Sequence, residues 1–245
     1  MEIFAGLSVG FLILTAGVVA TKTFALWRRT RGLPELLLSL YLSCATVLGY
    51  PLMIASTQIP ASEMWPLHLA GQVVTSFGFV CLLSFTLKVF RPEALWARGL
   101  VGLCLLLFAA GGVAYFVELT GDNPRPAGEL IGITLINSTP IALAYFWAML
   151  ESMSYYRRLR LRLRLGLAEV AVVNRVLLWG LMSFAAGIAV IISLAGMLAG
   201  SFLTAPFVLV LSCLGAVHAC CLFLAFHPPG WYRLWLERRA PVEAS

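Results

Sequence analysis

The chain alternates between long apolar segments and short segments that hold most of its charged and turn-forming residues. Seven of the apolar segments reach the length of about 20 residues that an α-helix needs to cross a bilayer. We therefore predict an all-α fold, an integral membrane bundle of seven transmembrane helices that makes up a domain over residues 1–230. The predicted spans are residues 3–27, 35–56, 66–90, 98–119, 128–153, 169–199 and 202–226.

The composition fits a chain whose main solvent is lipid. Of the 245 residues, 61% are hydrophobic and 11% are charged, whereas about a quarter of the residues of a soluble domain are charged. Seven spans of about 23 residues occupy roughly 160 residues and leave room only for loops and a tail. We therefore expect no attached kinase, cyclase or DNA-binding domain, and we do not expect the protein to be an enzyme.

Basic residues are concentrated in every second loop and predict the orientation of the chain. The loops after spans one, three and five and the C-terminal tail carry them, while the other loops hold few charges. Because lysine and arginine are enriched in cytoplasmic loops, the N-terminus is predicted to lie outside and the C-terminus in the cytoplasm. The residues behind this prediction are Arg28, Arg29, Arg31, Lys88, Arg91, Arg98, Arg157, Arg158, Arg160, Arg162, Arg164, Arg233, Arg238 and Arg239.

The positive charge also predicts the partners. The net charge of +6 lies beside apolar spans, so membrane lipids with anionic headgroups at the inner face are expected partners, and nucleic acid is not. Residues 157–164 alternate arginine with leucine and are predicted to continue span five as a helix whose arginines reach lipid phosphates. Residues 231–245 are predicted to be a short cytoplasmic tail that lies in the membrane interface. No oligomeric state follows from the sequence.

Polar residues in the outer halves of the spans form the first candidate site, because such groups inside a membrane often carry function. Tyr50, Gln72 and Asn137 lie there, and His68 is at the outer end of span three. One interpretation is that they line an outward-facing ligand pocket. The alternative is that they hydrogen-bond between helices, with each bond contributing about 0.6–2 kcal/mol.

A second polar cluster is predicted in the inner halves of the spans. Arg175 and Trp179 are four residues apart and therefore share a helix face. We expect the guanidinium to stack on this ring and to pair with Glu35 or Glu151, which would make the cluster a clamp between helices or a conformational switch. The predicted members are Glu35, Glu151, Asn174, Arg175, Trp179 and His218.

No metal site and no cofactor is predicted. His227 lies nine residues beyond His218, about 13 Å along a helix, which is too far for the two to share a metal or haem. The six cysteines fall inside apolar spans without the spacing of a metal site or a disulfide framework. Span seven contains no lysine that could bind retinal as a Schiff base.

Four segments beside the spans carry a family resemblance. They are RRTRGLPELLL at 28–38, LGYPL at 48–52, LRLGLAEVAVVNRVLLWG at 163–180 and FHPPGWYRLWL at 226–236. These segments resemble a family of uncharacterised bacterial seven-helix proteins, and the last also resembles the end of the seven-helix membrane module that precedes bacterial histidine kinases. The resemblance implies a bacterial plasma (inner) membrane protein. Glu35, Asn174, Arg175 and Trp179 match the family pattern, whereas Glu169 and Val170 stand where the family has Asp-Pro.

The expected function is that of a stand-alone bacterial sensor or receptor-like membrane protein. It would bind a small or apolar ligand from the outer side and signal to a separate cytoplasmic protein. One alternative is a small solute transporter. A transporter requires polar residues across the membrane midplane, and the sequence lacks them there. Another is a structural or assembly subunit of a membrane complex.

Overall fold

The computed structural model describes residues 2–56, 58–59, 65–121, 131–200 and 204–238. The secondary structure of these residues is helical, with no strand among them. Seven helices are long and apolar enough to cross a membrane, which indicates a multi-pass membrane protein and confirms the predicted number of spans. The helices are α1 (Glu2–Thr30), α2 (Leu33–Ser56), α3 (Trp65–Phe90), α4 (Leu95–Thr120), α5 (Ile131–Arg164), α6 (Val170–Leu198), α7 (Ala205–Phe226) and the short α8 (Gly230–Arg238).

The bounds of the helices lie close to the predicted spans, and the predicted continuation of span five is confirmed. Helix α5 runs beyond residue 153 to Arg164, so the arginine-rich segment is helical. Because an α-helix rises about 1.5 Å per residue, the extension carries these arginines well beyond the apolar part of the bundle. The predicted span starts at 128 and 202 and the tail residues 239–245 lie outside the described residues.

The first seven helices form a closed ring. Each packs on the next along the chain, α1 packs on α7, and α3 also contacts α5 across the ring. Because successive helices are antiparallel, the basic loops, the extension of α5 and α8 gather at one end of the bundle. We call this the arginine-rich end, defined by Arg28, Arg91, Arg158 and Arg233, and the other the far end.

A layer of aromatic side chains fills the middle of the ring. The hydroxyl of Tyr41 on α2 donates to the hydroxyl of Tyr145 on α5 at 3.0 Å. The Tyr145 ring lies edge-on to Phe79 of α3, with 5.2 Å between centroids, and to His218 of α7, with 6.3 Å between centroids. This layer joins four helices and separates the polar groups at the two ends of the bundle.

Helix α2 is irregular where it lies closest to α3. Residues Leu42–Gly49 form a π-helix, a rare conformation that often marks a functional or strained position. Opposite it, a side chain at Gly78 would collide with the backbone of Ala45, and one at Gly49 would collide with Thr75. The absence of side chains at these glycines therefore permits the close approach of the two helices.

Candidate functional site

The arginine-rich end contains a pocket of about 430 Å³, bordered by α1, α2, α3, α5, α6 and α7. Ligand sites in proteins commonly measure about 300–1,000 Å³. Much of its wall is apolar, formed by Leu26, Leu38, Phe85, Val176 and Phe226. Since every transmembrane helix except α4 borders the pocket, a ligand bound there would contact most of the bundle. We call it the arginine-end pocket.

Three charged residues line the pocket, and local structure explains the position of each. Lys22 projects from α1, and its ammonium nitrogen hydrogen-bonds Nδ1 of His227, just after α7. Glu35 lies in the first turn of α2, where the partial positive charge of a helix N-terminus favours a carboxylate. Arg175 lies near the start of α6, and its Nε donates to the carbonyl oxygen of Ala225 at 3.2 Å. The wall therefore carries two cations and one carboxylate.

Two polar atoms of the pocket residues are buried without a hydrogen-bond partner in the described part of the chain. They are the indole nitrogen Nε1 of Trp179 and the carboxylate oxygen Oε2 of Glu35. The Trp179 side chain is only 5% exposed, and its ring packs against Phe85 at 5.5 Å and Phe226 at 6.0 Å between centroids. A buried donor or acceptor left unpaired costs about 1–3 kcal/mol, so such groups in proteins normally meet a partner.

The expected pairing of Arg175 is not what the structure shows. Among the described residues, no ion pair within 4.0 Å joins Arg175 to Glu35 or Glu151, and its guanidinium is not stacked on Trp179. Glu151 instead accepts from Nε of Arg91 at 2.8 Å and from Nε1 of Trp147 at 3.4 Å. The pKa of Arg91 is raised, first by its hydrogen bond to Glu151 and second by the negative charge of that carboxylate. Arg91 comes from the loop after α3, which sequence reasoning treated only as an orientation signal.

The other two members of the inner cluster have separate roles in packing. Asn174 accepts a hydrogen bond from the hydroxyl of Tyr232 at 3.0 Å, which ties α8 to α6. Beside it lies a second cavity of about 320 Å³, which Arg175 also lines. His218 is also buried, and its Nδ1 lies 3.1 Å from the carbonyl oxygen of Met182. Of the six predicted residues, the structure therefore brings Glu35, Arg175 and Trp179 together around one pocket.

At the far end, the two predicted amides bind each other. Nε2 of Gln72 donates to Oδ1 of Asn137 at 2.7 Å and also lies 3.3 Å from the hydroxyl of Ser76. Nδ2 of Asn137 donates to the carbonyl oxygen of Ile133 at 3.2 Å. These contacts join α3 to α5 across the ring, as the interhelical alternative expected.

His68 and Tyr50 differ from this amide pair in their contacts and exposure. Nδ1 of His68 lies 3.0 Å from the hydroxyl of Ser56, and its ring is edge-on to Tyr115 at 5.2 Å between centroids. Its Nε2 is buried, and no residue in the described ranges hydrogen-bonds it. Tyr50 is 41% exposed and makes none of the hydrogen bonds of this region. Among the described residues, hydrogen bonds thus connect Gln72 with Asn137 but connect neither His68 nor Tyr50 to that pair.

The comparisons with known proteins add no identity to this geometry: the chain matches no protein-family model, no curated protein and no solved structure. The family resemblance of the segments beside the spans thus stays a prediction. Within the described residues there is no group of three or more histidine, cysteine, aspartate or glutamate side chains that could hold a metal ion. The charged and polar residues that line the arginine-end pocket can bind a ligand through charge and hydrogen bonds.

Proposed function

We propose that this chain is a receptor-like membrane protein that binds a small amphipathic ligand in the arginine-end pocket. A separate protein at the arginine-rich end would detect whether the ligand is bound. One observation carries the proposal: a pocket of about 430 Å³ between six helices, whose lining residues Trp179 and Glu35 each have a buried polar atom that no described residue hydrogen-bonds. A ligand group that binds these atoms would join α2 to α6 and alter the packing of the ring.

In the orientation that we propose, this pocket lies at the cytoplasmic side of a bacterial inner membrane. The basis is the bias of arginine and lysine toward one end of the bundle. The ligand would then enter from the cytoplasm or the inner leaflet, and the arginine surface would meet both anionic headgroups and the signalling partner. This differs from the outer ligand expected from the sequence, because Gln72 and Asn137 at the far end already bind each other.

A pocket-filling substitution tests the proposal. Val176 lines the pocket, whereas Val172, four residues earlier on the same helix, does not. We expect Val176→Phe to deplete a small molecule that co-purifies with the full chain in mild detergent, and Val172→Phe to retain it. Mass spectrometry of the extracted molecules, normalised to protein, measures both, and thermal stability shows that each variant is folded.

Two results would contradict the proposal. One is a wild-type protein that carries only detergent and phospholipids in the proportions of the surrounding membrane, with no molecule enriched. The other is a co-purified molecule that remains equally abundant in folded Val176→Phe protein. A confirmed loss would then justify a search for the partner by crosslinking from the extension of α5, in the presence and absence of the molecule.

Transport is the second candidate function, and one observation favours it. The hydroxyls of Tyr41, which is fully buried, and Tyr145, which is partly buried, lie between the amide pair and the arginine-end pocket, so the midplane is not purely apolar. In the described structure, however, these hydroxyls bind each other. Protein reconstituted into sealed vesicles distinguishes the two functions, because a transporter moves the co-purified molecule across the bilayer and a receptor only binds it.

A further inference from the structure

We infer that the arginine-end pocket accepts an amphiphile whose headgroup combines an anionic phosphate with an ammonium group that retains its N–H donors. This inference rests on the proposed function, since it names the chemical class of the ligand for the same pocket. It follows from the charges, the free hydrogen-bonding atoms and the apolar wall, taken in turn.

The charges favour a headgroup with both signs and a net preference for an anion. Lys22 and Arg175 contribute two positive charges to the lining, and Glu35 contributes one negative charge. A purely cationic ligand would meet two like charges, whereas a purely anionic one would meet the carboxylate of Glu35. A headgroup with separate anionic and cationic groups can satisfy both signs at once.

The anionic group is assigned to Arg175 and Trp179. In the described structure, Arg175 uses only its Nε, toward Ala225, so the N–H donors at the end of the guanidinium fork are available. A guanidinium fork binds phosphate oxygens through two hydrogen bonds. Trp179 lies one helical turn beyond Arg175 and offers a buried indole N–H, which can only donate. Both residues would therefore donate hydrogen bonds to acceptor oxygens of the ligand.

The ammonium group is assigned to Glu35. Its buried Oε2 can only accept a hydrogen bond while the carboxylate is ionised, so its partner must be a donor. A primary ammonium supplies both the N–H and the opposite charge. A quaternary ammonium supplies charge alone and has no hydrogen to donate, so it would leave Oε2 unpaired.

The apolar part of the ligand is assigned to the wall of the pocket. Leu26, Leu38, Phe85 and Phe226 contribute apolar surface beside the charged groups. A headgroup bound at the charged residues would therefore lead into a space that favours an acyl or alkyl chain. A diacyl phosphoethanolamine lipid of the bilayer and a free single-chain amphiphile both carry this chemistry.

Probes that share a dodecyl chain and differ only in headgroup test the inference. The full-length protein in maltoside detergent is titrated with dodecyl phosphoethanolamine, dodecyl phosphocholine and dodecyltrimethylammonium, and binding is followed by native mass spectrometry. We expect the phosphoethanolamine probe to bind about tenfold more tightly than the phosphocholine probe, because only it gives Glu35 a charge-assisted hydrogen bond. The ammonium probe without phosphate should bind most weakly.

Two matched pairs of variants assign the contacts. Glu35→Gln should remove the preference for phosphoethanolamine over phosphocholine, whereas Glu93→Gln, a change of the same kind at an exposed loop residue, should keep it. Trp179→Phe should weaken both phosphate probes several-fold and equally, because it removes the indole donor but keeps a ring. Trp96→Phe on α4, away from the pocket, should leave both unchanged.

The outcomes separate this inference from the proposed function. Equal binding of all three probes, or binding that Glu35→Gln and Trp179→Phe leave unchanged, overturns the assigned headgroup chemistry. If Val176→Phe still removes a co-purified molecule in that case, the pocket functions as proposed but for another ligand class. If Val176→Phe also changes nothing, both proposals fail. Preference for diacyl phosphatidylethanolamine in lipid nanodiscs points to a bilayer lipid, and preference for the dodecyl probe points to a free amphiphile; either supports the shared chemistry.

Discussion

Gln72 and Asn137 show how individual polar residues are accommodated inside the bundle. Their amides bind each other between α3 and α5, and the backbone of Gly111 on α4 lies directly against the Asn137 side chain. In hydrocarbon, each unpaired amide atom would cost several kcal/mol, so the close fit of three helices around the pair is a requirement of the solvent. Gly111 is therefore a packing position and not a flexible one.

This fit predicts opposite effects for two neighbouring glycines. A methyl group at residue 111 would collide with the Asn137 amide, whereas one at residue 112 would have no atom within 4 Å. We expect Gly111→Ala to destabilise the protein by about 1–3 kcal/mol through overpacking, and Gly112→Ala to change its stability by less than about 0.5 kcal/mol. Thermal unfolding in detergent, monitored by size-exclusion chromatography, measures the stability of both variants. Similar melting temperatures for the two variants would show that the contact is not tight.

The sequence predicts only some of the contacts that individual residues make. Charge within an apolar segment identified Glu35, Arg175 and Glu151 as unusual, but not which of them would meet. Arg91 reaches Glu151 because the end of α3 lies beside α5, a long-range contact that no local pattern encodes. Nothing in the sequence distinguishes Phe85 and Phe226, which pack against the Trp179 ring, from aromatic residues that face lipid.

At the level of elements, hydrophobic length predicted the helices well, and their local irregularities poorly. The π-helix Leu42–Gly49 has no counterpart in the pattern of apolar residues, and it lies where α2 packs closely against Thr75 and Gly78 of α3. The extension of α5 was predictable because no proline or glycine separates the arginines from the end of the predicted span at residue 153. The short helix α8 was predictable from its aromatic and basic residues, but its contact with Asn174 was not.

That contact predicts how firmly α8 is held. Tyr232→Phe removes the hydroxyl that binds Asn174 and keeps the ring, which costs the docked state about 0.5–1.5 kcal/mol. We expect trypsin to cleave after Arg233 roughly two to ten times faster in this variant, since cleavage follows the population of the open state. Limited proteolysis of the full chain measures the rate. Tyr156→Phe on α5, where the ring lies against the Arg160 guanidinium, is the control, and equal rates in the two variants would contradict a role for the hydroxyl.

At the level of the whole molecule, the number of helices was predictable and their closure into a ring was not. Span number follows from length and apolarity, which each segment carries on its own. The contact of α1 with α7 depends on how all the intervening helices cross, and the hydrogen bond from Ser8 to the carbonyl oxygen of Ser212 at 2.7 Å is one product of that closure. The pocket has the same origin, because six helices must meet before Glu35 and Trp179 share a space.

The orientation of the ring is the prediction on which the direction of ligand entry depends. Thr120 ends α4 at the far end, and Leu167, which is 72% exposed, follows α5 at the arginine-rich end. In a variant whose six native cysteines are replaced, we expect Thr120→Cys to react with a membrane-impermeant maleimide in intact bacterial cells. Leu167→Cys should react only after the inner membrane is permeabilised, because arginine-rich loops stay in the cytoplasm. The reverse labelling would move the arginine-end pocket to the outside of the cell, so that its ligand would be an external signal and its arginine surface could not meet a cytoplasmic partner.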